Sequence, residues 1–143
     1  LFELRAMLEI EAAGLAATRI KLEGLAILRQ ALDRMQGSER TRDGSVAADL
    51  EFHREISRAT GNAYILTFIS FIASQIRNTI YLARQAQSID VVVEETIAEH
   101  QKIYDALTAG DVTGARAAMR THILQSGQRA GAILPERQTG DWT

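Results

Sequence analysis

Apolar residues recur at intervals of three and four along almost the whole chain, and the single proline, Pro135, stands close to its end. A strand shows successive side chains to opposite faces, whereas a helix returns every third or fourth residue to one face. Strand-like alternation bounded by hairpin turn pairs is absent. The pattern predicts an all-α fold, a single antiparallel bundle of about six helices.

The expected helices can be placed from their stripes and their breaks. The first covers 1–18, with Leu4, Leu8, Ala12, Leu15 and Ala16 inward, and the second covers 22–35, with Leu25, Leu28, Leu32 and Met35 inward. A polar stretch over 37–44 reads as an exposed loop. The third helix, 45–60, ends at Gly61, which suits a left-handed position, and Asn62 can cap the next helix. The fourth, 63–84, is the most apolar and is expected at the centre. The fifth starts after Ser88 and runs to 109; Gly110 and Asp111 turn and cap the chain into the sixth, 112–134, which Pro135 closes. One helical domain over 1–134 and a polar tail over 135–143 are expected.

Bulk properties remove several classes of function. At 143 residues, 46% hydrophobic and 24% charged, the chain can bury one real core. A net charge of -2 supplies no basic field for nucleic acid, so any contact with DNA must come through another domain. With no cysteine, a metal could be held only by nitrogen and oxygen. The longest apolar run, 63–73, is broken by Thr67 and Ser70 and falls short of the roughly 20 residues that cross a bilayer, so no membrane partner is expected. No secretory leader is visible, and a cytoplasmic location is expected. The opening at Leu1, without an initiator methionine, suggests a piece of a longer protein.

All three histidines fall on apolar stripes. The third helix carries Val46, Asp49, Leu50, His53, Ile56 and Thr60 on one side, so Asp49 and His53 share a face one turn apart. The fifth carries Val93, Ile97, His100, Tyr104 and Leu107, and the sixth carries Ala115, Met119, His122 and Ser126. In a hairpin folded about Asp111, His100 and His122 lie equally far from the turn, about 16 Å at about 1.5 Å per residue. The same reasoning at Gly61 and Asn62 sets His53 level with Ser70 and Asp49 level with Ser74, with Arg77 and Asn78 a turn beyond.

A buried carboxylate and three buried imidazoles all need partners, and one divalent ion supplies them together. Asp49, His53, His100 and His122 are therefore the expected metal ligands, around a central metal and ligand pocket. Zinc, nickel, manganese and iron all stay open by ligand type alone. One or two coordination positions would remain for a ligand oxygen. Against this stands the ordinary alternative that each histidine is a hydrogen-bonded core residue and Asp49 a cap. Ser74, Arg77 and Asn78 are the expected effector contacts on the fourth helix; a buried salt bridge would explain Arg77 equally well.

The sequence resembles the FCD effector-binding domain of the FadR subfamily of GntR-type bacterial transcription regulators over nearly its whole length. The likeness rests on Leu4 to Ala13 and Leu15 to Ala17, on Asp49 to Ile56 with Ala59 to Asn62, and on Glu99 to Leu107 with Gly110, Asp111 and Ala115 to His122. In that family's metal-binding branch, the ligands match Asp49, His53, His100 and His122. Arg5 matches a first-helix arginine that often holds the acid effector, although an exposed helix arginine would look the same. The resemblance implies a homodimer that senses a small organic acid and reaches DNA only through a separate N-terminal winged-helix domain. No such segment precedes the first helix here, so that domain is expected to have been removed or never present.

The sequence thus favours a ligand sensor over an enzyme. A metal-dependent hydrolase or oxygenase using the Asp/His3 set is the alternative, but no HExxH motif or phosphate-cradling glycine loop occurs. The acidic neighbours Glu51 and Glu99 fall off the ligand stripes and are expected to face solvent. A third reading, a purely structural ion, would leave no adjoining cavity.

Overall fold

The computed structural model describes residues 1–37, 42–85 and 89–131. Within them the chain forms six helices and no strand: α1 (Phe2–Arg19), α2 (Leu22–Gln36), α3 (Arg42–Ala59), α4 (Ala63–Gln85), α5 (Ile89–Thr108) and α6 (Val112–Arg129). Helix α3 starts at Arg42, inside the stretch read as loop. The Ser88 cap, the last residues assigned to the sixth helix, Pro135 and the polar tail lie outside the described residues.

The turns follow local chemistry. Gly61 and Gly110 take φ of 70° and 66°, where a side chain would be strained. The Asn62 side-chain oxygen accepts from the amides of Tyr64 and Ile65 at 3.0 and 3.3 Å, and Asp111 accepts from Gly114 at 2.9 Å, satisfying amides at two helix starts.

Helix α1 packs chiefly on α6, α2 on α3, and α5 on α6, with α2 also touching α5 and α1 touching α3. Ala13 and Ala16 let these helices approach, while Leu28, Leu32, Phe52, Ile56, Ile103, Leu107 and Met119 fill the shared core. Each large apolar side chain buried there contributes about 1.5–3 kcal/mol relative to exposure.

Two expectations about the core fail for the same reason. Helix α4 is not central: it packs mainly on α3, and only Ile69, Ile72, Ile76 and Ile80 among its described large side chains are fully covered. On α1, Leu4 is exposed and Leu8 half-buried, while Phe2, Arg5, Glu9, Ala12 and Ala16 form the inward stripe. Hydrophobicity was the guide in both cases, and the middle of this bundle is polar.

Candidate metal centre

One turn of α3 separates Asp49 from His53, α5 supplies His100 and α6 supplies His122, all buried. One donor atom from each lies within 4.8 Å of all the others. The His53 Nε2 atom is 3.0 Å from His122 Nε2, 3.2 Å from His100 Nε2 and 3.2 Å from Asp49 Oδ1. The His100 Nε2 atom is 3.1 Å from Asp49 Oδ1. The levels drawn from the hairpin hold, since the His100 and His122 rings lie 4.4 Å apart. Phe52 packs against His100 with ring centroids 4.5 Å apart and closes that side to water.

The outer ring atoms decide which nitrogens face inward. Glu9, from α1, contacts His53 Nδ1, and Glu99, from α5, lies 2.6 Å from His122 Nδ1. Each carboxylate draws a ring proton onto Nδ1, which turns the Nε2 lone pair toward the centre. Each is itself held by an arginine. Arg5 Nε donates to Glu9 at 2.7 Å, and Arg129 makes a forked pair with Glu99 at 2.7 and 2.8 Å.

Both glutamates escaped the sequence reading as parts of the site. Glu99 had been expected in solvent and is buried. Glu51, expected there too, is exposed and paired with Arg34. Two signals could have found the pair. Arg5 and Glu9 sit one turn apart on the alanine stripe of α1, and hairpin levelling puts Glu99 beside His122.

Electrostatics make the centre a place for a single positive object. Burial works to raise the Glu9 pKa, but Arg5 and His53 outweigh it and hold it down to about 2. Burial works to lower the His53 pKa, yet Glu9, with Asp49, keeps it above the ordinary histidine value. Burial lowers His100 despite Asp49, and drives His122 well below its usual range with His100 and His53 adding to the effect. Of the three imidazoles, His53 is the one whose surroundings favour a proton, and His100 and His122 are held toward the neutral form that ligates metal.

A divalent ion fits the same place. At metal–nitrogen distances of about 2.0–2.1 Å, neighbouring ligand atoms stand about 2.9 Å apart in an octahedral site and about 3.3 Å apart in a tetrahedral one, which brackets the 3.0–3.2 Å separations found between these donors. The set contains only nitrogen and oxygen, so it suits zinc and its divalent neighbours. Two inward lone pairs 3.0 Å apart, on His53 and His122, repel unless a cation lies between them.

The predicted effector contacts separate into two groups. Arg5 is buried beside the ligands, its Nη2 3.2 Å from His53 Nε2 and its Nη1 without a hydrogen-bond partner. Ser74, Arg77 and Asn78 are exposed on α4, so Arg77 is neither in the core nor in a buried salt bridge. Ser74 and Arg77 line a cleft of about 520 Å³ between α3 and α4, together with His53, Arg54, Arg58 and Ser70. Asn78 borders a smaller one of about 160 Å³ with Asp43, Arg77 and Tyr81.

The described residues define a six-helix bundle whose buried interior gathers one carboxylate and three imidazoles at one point. The sequence matches the FCD domain over residues 1–125, and the chain belongs to that family, the effector domains of GntR-type regulators. It is 30% identical over 125 residues to the HTH-type transcriptional regulator LutR of Bacillus subtilis (strain 168), covering 86% of this chain and 57% of that protein. It is 26% identical over 131 residues to the galactonate operon transcriptional repressor of Escherichia coli (strain K12), covering 92% of this chain and 56% of the relative. The structure of Streptococcus agalactiae GntR superposes with a TM-score of 0.73 at 23% identity, over 89% of this chain and 56% of that one, and shows the shared fold. The chain spans about half the length of the curated relatives it matches. Those relatives are transcription regulators, not enzymes, which sets the hydrolase and oxygenase alternative aside.

Proposed function

We propose that this chain is the ligand-sensing domain of a bacterial transcription regulator of the FadR subfamily, binding a small carboxylate through a divalent metal held by Asp49, His53, His100 and His122. The observation that carries this reading is the buried convergence of four metal-type donor atoms within 4.8 Å. Zinc is the metal we favour. When bound, such an ion supplies coordination positions beyond the four protein ligands, open to a carboxylate oxygen.

The chain's own residues give the acid a second anchor. Arg5 is buried and fixed by Glu9, and its unpartnered Nη1 is a donor ready to meet an anion beside the ligand atoms. Burying that nitrogen unpaired is costly, so a carboxylate oxygen arriving there removes a penalty as well as making a bond. Ser74, Arg77 and Asn78 are kept as outer contacts, on the cleft side of α4. One relative is named for a galactonate operon, and galactonate is a hydroxy acid, so small hydroxy acids are the class to screen first.

In the intact regulator, acid binding changes the affinity of a winged-helix domain for DNA by favouring one packing of these helices over another. The effector domain is taken as 1–134 and the tail as 135–143, in a cytoplasmic homodimer.

The test is thermal unfolding of zinc-loaded and chelated protein across a panel of small organic acids. At least one acid should stabilise the loaded protein and leave the chelated one unchanged. Arg5→Met should lose that response and keep its metal. Equal stability of loaded and stripped protein, or an acid that acts without metal, would overturn the reading.

A further inference from the structure

The cleft between α3 and α4 holds more positive charge than its own acids answer. Arg54, Arg58 and Arg77 line it, with Glu51 and Glu55. Glu55 is paired with Arg58, and Glu51 with Arg34 of α2, which is not part of the lining. Arg54 and Arg77 are exposed, and neither has an ion-pair partner among the described residues.

Helix direction brings these two guanidinium groups together. Levelled about the turn at Gly61 and Asn62, Arg54 stands opposite Ile69, and Arg77 lies two turns further along α4, about 12 Å at about 1.5 Å per residue. Side chains of a helix lean toward its own N-terminus. Because α3 and α4 run antiparallel, Arg54 leans toward Leu50 and Arg77 toward Ala73, and those two positions are level with each other. The two arginines therefore converge midway, beside Ser74 and on the level of Asp49, and His53 forms part of the same cleft wall. Two like charges aimed at one place repel until an anion stands between them.

We propose that Arg54 and Arg77 form a fork for a second anionic group, and that the effector is a two-ended acid, with one carboxylate at the metal centre and Arg5 and a second carboxylate or a phosphate in the cleft. The first end of the ligand rests on the proposed function; the fork itself needs no metal.

Space and chemistry agree with a ligand of that length. A volume of about 520 Å³ lies within the range of about 300–1,000 Å³ of ligand pockets, and exceeds what a carboxylate at the metal alone would fill. Ser70, level with His53, adds a hydroxyl between the two ends. The planar guanidinium group presents paired N–H donors that match a carboxylate or a phosphate equally, so the fork selects charge and leaves the ligand to supply either group. A cationic ligand end finds no counterpart there, since both acids of the lining are already paired.

Two measurements test the fork. The first is calorimetric titration of the zinc-loaded protein with three acids that share one carbon chain: gluconate, glucarate and 6-phosphogluconate. At least one of the two-ended acids should bind about tenfold more tightly than gluconate or better. An advantage for glucarate alone marks a carboxylate at the far end, and one for 6-phosphogluconate alone marks a phosphate. Arg54→Gln and Arg77→Gln should each bring the ratio down to about one, while Arg120→Gln, on exposed α6 surface, should keep it. The second measurement reads the fork without metal. Inorganic phosphate or malonate at millimolar concentration should raise the melting temperature of the chelated protein, less so at high salt, and should not do so in Arg54→Gln. Equal affinities for the three acids, a preference that survives both glutamine variants, or chelated protein indifferent to both small anions would each overturn the fork. Gluconate that binds only with metal, with no gain from a second charge, would remove the fork and leave the sensor reading standing. Small anions held by Arg54 and Arg77, with no acid responding to metal, would keep the fork and sink the sensor reading.

Discussion

Replacing Glu99 by glutamine tests the central geometric claim, that a carboxylate behind His122 aims its Nε2 at a metal. The charged Glu99 accepts from His122 Nδ1 at 2.6 Å and takes both forks of Arg129 at 2.7 and 2.8 Å. Glutamine has one oxygen for these donors. If that oxygen stays on His122, the tautomer survives, but the negative charge that strengthens the imidazole as a ligand is gone and an amide NH2 meets Arg129. If it turns to Arg129, an NH2 faces Nδ1, the ring proton moves to Nε2, and His122 stops being a ligand. Loss of an outer-shell partner of this kind costs about 10–100-fold in metal affinity. That is about 1.4–2.7 kcal/mol, and at about 3 °C per kcal/mol the metal-induced rise in Tm should shrink by about 4–8 °C. Titration against a competing chelator gives the affinity, and melting curves with and without zinc give the second measure. Glu51→Gln is the control, since it removes the same charge from an exposed acid paired with Arg34. Equal zinc affinity in Glu99→Gln and Glu51→Gln would refute the reasoning.

His100→Ala removes a ligand that sits 3.1 Å from Asp49 and 3.2 Å from His53, so metal bound after gel filtration should fall from about one equivalent to near none; an unchanged ratio by elemental analysis would contradict the assignment. Glu9 offers a pH prediction for the metal-free protein. Its folded pKa of about 2 lies below the ordinary 4.5, so the unfolded chain binds the proton first. The stabilisation is complete above about pH 4.5 and lost as pH falls toward 2, in total about 3 kcal/mol at about 1.4 kcal/mol per unit. Urea midpoints of wild type and Glu9→Gln should therefore draw together as pH falls from about 4.5 toward 2; a constant gap would show that the carboxylate is not held as described.

What the sequence determined by itself was the set of things that depend on periodicity and local chemistry. Six helices, the caps at Asn62 and Asp111, the left-handed glycines and the level pairing of His100 with His122 all follow from which residues recur every three or four positions and which end a helix. The gathering of Asp49 and His53 on one face of α3 belongs to the same class, because one turn of helix fixes it. The tertiary structure alone decided which apolar face is covered and which charge is buried. Periodicity locates a stripe on a helix but does not say what the stripe packs against. Helix α4 therefore looked central and lies at the edge with its aromatic side outward, and Leu4 looked buried and is exposed. Glu9 and Glu99 went unread because a buried carboxylate is tolerable only when partners from other helices reach it. Those partners, Arg5 and His53 for one and Arg129 and His122 for the other, meet their carboxylates only after α1, α3, α5 and α6 have packed.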